Sequence, residues 1–120
     1  PAEVGYLNAH GTGTAMNDAY ETIAIHTAFG SAATDLAISS TKPRTGHLLG
    51  AAGALEAVIS LQALEDGVLP STLNLVTPDP ACDLDYLPGE SRTRDVQAVM
   101  SNSMGFGGHN VSLLFRQART

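Results

Sequence analysis

The chain has 120 residues, 43% of them hydrophobic and 5% aromatic, with no Trp, which suffices for one core built from Ala, Leu, Val and Ile. Its formal net charge is −6 and its few Lys and Arg form no cluster, so it lacks the phosphate-neutralising surface of a nucleic-acid binder. A single cysteine, Cys82, excludes an internal disulfide and a cysteine metal cluster, and fits a reducing compartment such as the cytoplasm. The longest apolar stretch, residues 48–64, is interrupted by Glu56, Ser60 and Gln62 and reads as a buried helix rather than a membrane span. No basic segment followed by an apolar one marks a secretory signal. The chain opens at Pro1 without an initiator Met and reads as a piece of something longer.

Residues 4–8 are a short apolar run with Val4 and Tyr6, which predicts a strand. Asp18-Ala-Tyr-Glu21 then has the form of a capping box, with the Asp18 carboxylate on a first-turn amide and Glu21 reaching back. Tyr20, Ile23, Ala24 and Thr27 follow at helical spacing, and Gly30 is placed to end that helix. Residues 36–40 predict a second strand. A loop over residues 41–49 leads to a helix over residues 50–66, closed by Gly67. This second helix is apolar on most sides, so burial on most sides is expected. Its first turns, Gly50-Ala-Ala-Gly-Ala54, admit a close backbone neighbour. Each Gly costs about 1 kcal/mol of helix propensity relative to Ala, which packing or function must offset.

Residues 68–95 contain Pro70, Pro78, Pro80 and Pro88 and little periodicity, which predicts an excursion over the surface or against another segment. Residues 96–101 and 110–115 predict a final pair of strands. Gly105-Phe-Gly-Gly108 joins them and is no ordinary tight turn, having a large aromatic at its tip. The order β-α-β-α-loop-β-β predicts an α/β layered fold with a mixed sheet.

Two successive strand–turn–helix units deliver side chains to one sheet edge, which gathers His10, Lys42 and His47 into one cleft where proton donors can act on a carbonyl. A lone histidine such as His10 is equally well explained as closing a turn. His47 precedes the apolar helix, whose positive end disfavours an imidazolium. A neutral ring that donates one hydrogen bond to a carbonyl oxygen fits there, as does a simple cap contact. Glu56 lies in the apolar helix, where an unpaired carboxylate is costly, and Lys42 is the nearest basic candidate. Such a buried pair positions groups more than it adds stability. His26 reads as a surface residue, and His109, after the glycine hinge, is a candidate for the cleft. The histidines lack the spacing of a zinc site. Thr12 and Thr14 among glycines resemble a phosphate cradle but fit neither the Walker nor the dinucleotide pattern. Cys82 stands near Asp79, Asp83 and Asp85, whose charges disfavour a thiolate, and is a poor candidate nucleophile.

Six segments in order cover nearly all of the chain: Asn8-Ala-His-Gly-Thr-Gly-Thr14, Ser39-Ser-Thr-Lys42, Thr45-Gly-His-Leu-Leu-Gly-Ala-Ala-Gly53, Asn74-Leu75 before Pro78, Cys82-Asp-Leu-Asp85 and Ser101-Asn-Ser-Met-Gly-Phe-Gly-Gly-His-Asn110. With them the sequence resembles the C-terminal part of the β-ketoacyl-acyl carrier protein synthases, the elongating condensing enzymes of fatty-acid and polyketide synthesis. The resemblance implies a thiolase-like fold of two duplicated halves in five α-β-α-β-α layers, with residues 1–120 a single partial domain from the later part of the second half. It puts the nucleophilic cysteine in the first half, outside this sequence, and matches Cys82 to a non-catalytic cysteine. The implied reaction is decarboxylative condensation of an acyl-enzyme with malonyl-acyl carrier protein, which these 120 residues alone would not complete.

The resemblance also assigns roles. His10 and His47 match the histidines that polarise the malonyl thioester and stabilise the enolate formed on loss of CO2. Lys42 matches a lysine near that site, tied to the glutamate at Glu56, and Asp18 and Glu21 count as supporting residues. Phe106 matches a gating phenylalanine between the acyl and malonyl sites; its backbone N–H, with Gly107 beside it, belongs to the oxyanion hole. Thr12 and Thr14 match hydroxyls that hold the phosphopantetheine arm, which arrives on acyl carrier protein, so no cofactor of its own is implied. Asn8, Glu56, Ser101 and Asn102 resemble a structural cation site of some members.

The implied partners are acyl carrier protein, malonyl and acyl thioesters, and a second copy through the other half, with no nucleic acid and no membrane. Acyl-CoA-primed relatives use a His/Asn pair, and thiolases carry a second cysteine near the last glycine turn; residues 99–104 hold none. Met104 stands where Phe or Ile is commoner. Two alternatives stand beside this reading: a non-catalytic partner like the chain-length factors, which usually lose catalytic residues, and a plain phosphate-binding α/β domain.

Overall fold

The computed structural model describes residues 1–118. Strand β1 (Val4–Asn8) leads to helix α1 (Asn17–Phe29), a 3-10 turn over Gly30–Asp35 and strand β2 (Ala37–Ser39). A one-turn helix α2 (Lys42–Thr45) and a 3-10 turn (Leu49–Ala51) precede helix α3 (Ala52–Asp66). Strands β3 (Val68–Leu69), β4 (Arg92–Thr93), β5 (Ala98–Met104) and β6 (Asn110–Arg116) follow. The main sheet has the order β2-β1-β5-β6; β1 runs parallel to β2 and β5, and β6 antiparallel to β5. The predicted mixed α/β sheet is present.

Strand β1 is central, so the chain first crosses to one side of it and then back to the other. With crossovers of one hand, α1 and α3 must lie on opposite sheet faces. The two cores show this. Leu7, Ala9, Ile25, Phe29, Leu36 and Ile38 pack on the α1 side, while Tyr6, Ala37, Ala63, Leu64, Leu69, Leu87 and Val99 pack on the α3 side. Each fully buried Leu or Ile contributes roughly 1.5–3 kcal/mol. The carboxyl ends of β1 and β5 flank the point where the order reverses, the place where open α/β sheets bind ligands. His10 follows one of these strands and Phe106 the other.

Gly30 and Gly67 end their helices as predicted, at φ of +56° and +64°, their N–H groups donating to the His26 and Ala63 carbonyls. Four expectations are corrected. The capping box does not form: Met16, the residue before α1, makes no side-chain cap bond, and Glu21 turns into the protein. The predicted stripe of α1 faces outward, with Tyr20 and Ile23 more than half exposed, because Glu21, Thr22, Ile25 and Phe29 occupy the buried face. Helix α3 buries one side, through Ala52, Glu56, Ser60, Ala63 and Leu64, and leaves Val58 and Leu61 exposed on this chain. Its helical hydrogen bonding begins at Ala52, and the loop before it contains the turn of α2.

The segment over residues 68–95 is a strap that packs on both the sheet edge and α1. Ile38 N–H donates to the Asp85 carbonyl at 2.8 Å, while Leu69 and Leu87 enter the core. Tyr86 Oη and Thr22 Oγ1 lie 2.5 Å apart, and the exposed His26 pairs with Asp83 at 2.7 Å. No backbone among the described residues comes close to Gly50 or Gly53: a Cβ at Gly53 would lie 3.1 Å from the side-chain Oγ of Ser103 on β5, and Gly50 faces open space.

Candidate active site

The chain leaves β1 through Ala9-His10-Gly11. Glu21, 2% exposed, takes the His10 N–H on Oε1 and the Gly11 N–H on Oε2, both at 2.9 Å. A carboxylate holding backbone amides is a strong, charge-assisted grip, and it fixes the loop that carries His10. Asp18 Oδ1 accepts from the Gly13 N–H at 3.2 Å and from Asn17 Nδ2 at 3.0 Å. Both acids therefore brace the histidine loop. Thr14 Oγ1 accepts from the Asn17 N–H at 3.3 Å and touches Thr12 Oγ1 at 3.1 Å, so this hydroxyl pair organises the entry to α1.

Lys42 begins α2 just past β2. Its buried Nζ donates to Glu56 Oε1 at 2.5 Å, and Glu56 is 2% exposed. This is the pairing that the lone carboxylate in an apolar helix demands. Next in the chain, His47 accepts the Leu49 N–H on Nδ1 at 3.2 Å. A ring that accepts at Nδ1 carries its proton on Nε2 and presents a donor there. The His10 and His47 rings meet edge to face, centroids 5.5 Å apart and planes at 83°. Burial first, then the Lys42 ammonium, holds the His10 pKa below the usual imidazole value. His10 is therefore neutral at pH 7, and its Nδ1 is buried without a hydrogen-bond partner among the described residues.

A cavity of about 640 Å³ opens beside this cluster, lined on one side by Gly11, Thr12, Lys42 and His47 and roofed by the strap through Leu75 and Tyr86. The structure thus gathers His10, Lys42, His47, Glu56, Glu21, Asp18 and Thr12. Thr14, Phe106 and Gly107 lie outside the lining; Phe106 is 90% exposed at the tip of the β5–β6 turn, where Gly107 and Gly108 take φ of +81° and +83°. His109 is exposed in that turn and outside the cavity lining. Cys82 is half-buried in the cavity wall on the strap. No group of three or more His, Cys, Asp or Glu residues among those described could hold a metal.

The four-residue cation set divides across the sheet. Asn8 and Ser101 are register partners on β1 and β5, and with Ser103 they face α3, the helix of Glu56. Asn8 Oδ1, Ser101 Oγ and Glu56 Oε2 are buried oxygens without hydrogen-bond partners among the described residues. Asn102 is one residue along β5, so the pleat turns it to the α1 face. There its Nδ2 donates to Glu21 Oε1 at 3.2 Å and its Oδ1 accepts from Ser112 Oγ at 2.7 Å. Its side chain is thereby removed from the set. Sequence reading also does not single out Ser40, whose Oγ donates to the Gly11 carbonyl at 2.8 Å; a run of three hydroxyl residues ending a strand is the only signal.

Comparison with known proteins agrees with this architecture. Residues 1–76 match the family described as beta-ketoacyl synthase, C-terminal domain. The chain is 54% identical over 117 residues to the 3-oxoacyl-acyl-carrier-protein synthase 2 of Synechocystis sp., covering 98% of this chain and 28% of that protein. It is 52% identical over 116 residues to the Staphylococcus aureus protein of the same name, covering 97% and 29%. It superimposes on a β-ketoacyl synthase from Burkholderia phymatum with a TM-score of 0.90 at 46% identity, covering 98% of this chain and 28% of that one. A type II polyketide ketosynthase complex with its acyl carrier protein gives a TM-score of 0.95 at 38% identity, covering 99% and 29%. The chain spans under a third of the length of these relatives. With the family match over residues 1–76 and the same thiolase-like ketosynthase fold, the chain belongs to the β-ketoacyl synthase family, whose C-terminal domain it carries.

Proposed function

We propose that the complete protein is an elongating β-ketoacyl-acyl carrier protein synthase and that this chain supplies its decarboxylation half-site. The observation that carries the reading is the edge-to-face pair of His10 and His47 beside the buried Lys42–Glu56 pair. Two neutral imidazoles can each donate one hydrogen bond to the thioester oxygen of a malonyl group. Loss of CO2 then leaves an enolate whose charge those donors stabilise. The enolate carbon attacks the acyl thioester on the enzyme cysteine, which the resemblance puts outside these residues; a carbon–carbon bond forms, and the cysteine leaves as thiolate. Thr12, at the cavity wall, and Thr14 next to it hold the phosphopantetheine arm, and the Phe106–Gly107 turn supplies the gate and an oxyanion N–H.

The partner on this reading is acyl carrier protein, as in the polyketide complex above. The protein works as a homodimer in the cytoplasm, the dimer contacts lying in the other half, with no cofactor of its own and without nucleic acid or membrane. No helix among the described residues is long and apolar enough to cross a membrane. The outward faces of α1, α3 and β6, with Tyr20, Val58 and Leu114, are where the remainder of a longer chain packs.

The three unpartnered oxygens of Asn8, Ser101 and Glu56 fit a hard cation, which would neutralise the free Glu56 oxygen and brace β1 against β5. Elemental analysis of the complete protein tests this, with loss on Glu56→Gln expected.

The deciding experiment is an assay of the complete protein with malonyl-acyl carrier protein. Decarboxylation and β-ketoacyl product are expected; His47→Ala is expected to abolish both, and the isolated 120 residues to give no condensation product. Robust product from the isolated chain refutes the reading. A solved ketosynthase from Xenorhabdus doucetiae is held in complex with its chain length factor, 43% identical with a TM-score of 0.83. Retention of His10, Lys42 and His47 favours the catalytic subunit, and a cysteine at the equivalent helix start upstream distinguishes it from the partner.

A further inference from the structure

Gly11, next to His10, is gripped from two elements, one on each of its flanking peptide groups. Glu21 on α1 holds the N–H of Gly11 at 2.9 Å, and Ser40, at the end of β2, donates its hydroxyl to the carbonyl of the same residue at 2.8 Å. Ser40 is 7% exposed, so little water competes for that carbonyl. The same Oγ accepts the Lys42 N–H at 3.4 Å, and the Ser40 N–H is tied to Thr72 Oγ1 on the strap at 3.2 Å. One hydroxyl therefore touches both the loop of His10 and the first residue of the turn that carries Lys42 and leads to His47. The approach is close enough to require glycine: Gly11 sits at φ +43°, and a Cβ there would lie 2.5 Å from the Ser40 Cβ.

We propose that Ser40 is a positioning residue that sets the His10 imidazole against the Lys42 and His47 side of the cleft. It touches no substrate. Its hydroxyl locks two loops that leave adjacent strands, just past the backbone bond from the Ala9 N–H to the Ser39 carbonyl at 2.8 Å. Glu21 alone holds the peptide group before the Gly11 Cα and leaves the one after it free to turn. The proposal rests on the condensing-enzyme reading, because only a reaction that needs both imidazoles on one oxygen is sensitive to that register.

The test uses the complete protein with malonyl-acyl carrier protein. Ser40→Ala removes the lock. Ser40→Cys keeps the volume and leaves a weak S–H donor, so it retains the packing if the alanine variant fails to fold. Tyr6→Phe is the control, because it removes another buried β1–β2 bond, Tyr6 Oη to Ser39 Oγ at 2.8 Å, which touches neither Gly11 nor Lys42. The two Ser40 variants are expected to lower the decarboxylation kcat by about tenfold to a hundredfold with KM within about twofold, as misplacement of a catalytic group does. Tyr6→Phe is expected to lower Tm with kcat within about twofold. Ser40→Thr, which retains the hydroxyl, is expected to recover most of the rate. Ser40 variants that lose Tm as Tyr6→Phe does, yet decarboxylate at the control rate, overturn the proposal. A wild-type protein that does not decarboxylate malonyl-acyl carrier protein overturns the underlying reading, and this proposal with it.

Discussion

Glu21 receives the N–H of His10 on one carboxylate oxygen and the N–H of Gly11 on the other, each at 2.9 Å, and its first oxygen also accepts from Asn102 at 3.2 Å. A buried charge thus links α1, the histidine loop and β5. Glu21→Gln keeps the shape but turns one acceptor into a donor that faces an N–H. The expected cost is about 1–3 kcal/mol of stability, the usual penalty for an unsatisfied buried group. Denaturant unfolding of the complete protein measures it. A parallel fall in decarboxylation is expected from the released loop, and an unchanged midpoint would show that Glu21 bears no such load.

Lys42 and Glu56 respond asymmetrically to mutation. Lys42→Met strands a buried carboxylate, and about 3–5 kcal/mol of destabilisation is expected. The pair Lys42→Met with Glu56→Leu removes both charges and is expected to regain most of that loss. Activity is not expected to return, because the ammonium beside His10 is still absent. Unfolding midpoints and decarboxylation rates of the single and double variants separate the two effects.

Stability should decline on acidification through His10. Its folded pKa lies below the ordinary value of 6.5, so the unfolded chain takes up a proton that the folded one refuses. The contribution is fully present above about pH 6.5 and is lost as pH falls towards the lowered pKa, at no more than about 1.4 kcal/mol per pH unit for one proton. Subtracting the pH profile of His10→Gln from that of the wild type isolates this slope. A difference that grows as pH falls instead would contradict the assignment.

Tyr86 gives the opposite sign at alkaline pH. Burial, opposed in part by its bond to Thr22, pushes its pKa from 10.0 up to about 12. The stabilisation it reports is complete below pH 10 and disappears as pH climbs to about 12. Tyr86→Phe unties the strap from α1 and is expected to cost about 1 kcal/mol. Ultraviolet titration of tyrosinate in wild type and variant should show one late-ionising tyrosine missing from the variant.

The local chemistry was legible in the residues. Gly30 and Gly67 announce helix ends because a left-handed or similar backbone favours glycine. Glu56 announces Lys42 because a carboxylate in an apolar helix needs a partner, and the two meet at 2.5 Å. His10 and His47 share a sheet edge because each follows a strand in the same strand–turn–helix grammar. Folding in space decided the rest. Whether Glu21 caps its own helix or reaches His10, eleven residues back in the chain, depends on where β1 ends relative to α1. Whether Asn102 joins Glu56 or Glu21 depends on the pleat of β5, since a one-residue step changes the sheet face. Helical spacing shows that α1 has a stripe at Tyr20 and Ile23 but not which stripe meets the sheet, because that choice is made by partners distant in sequence.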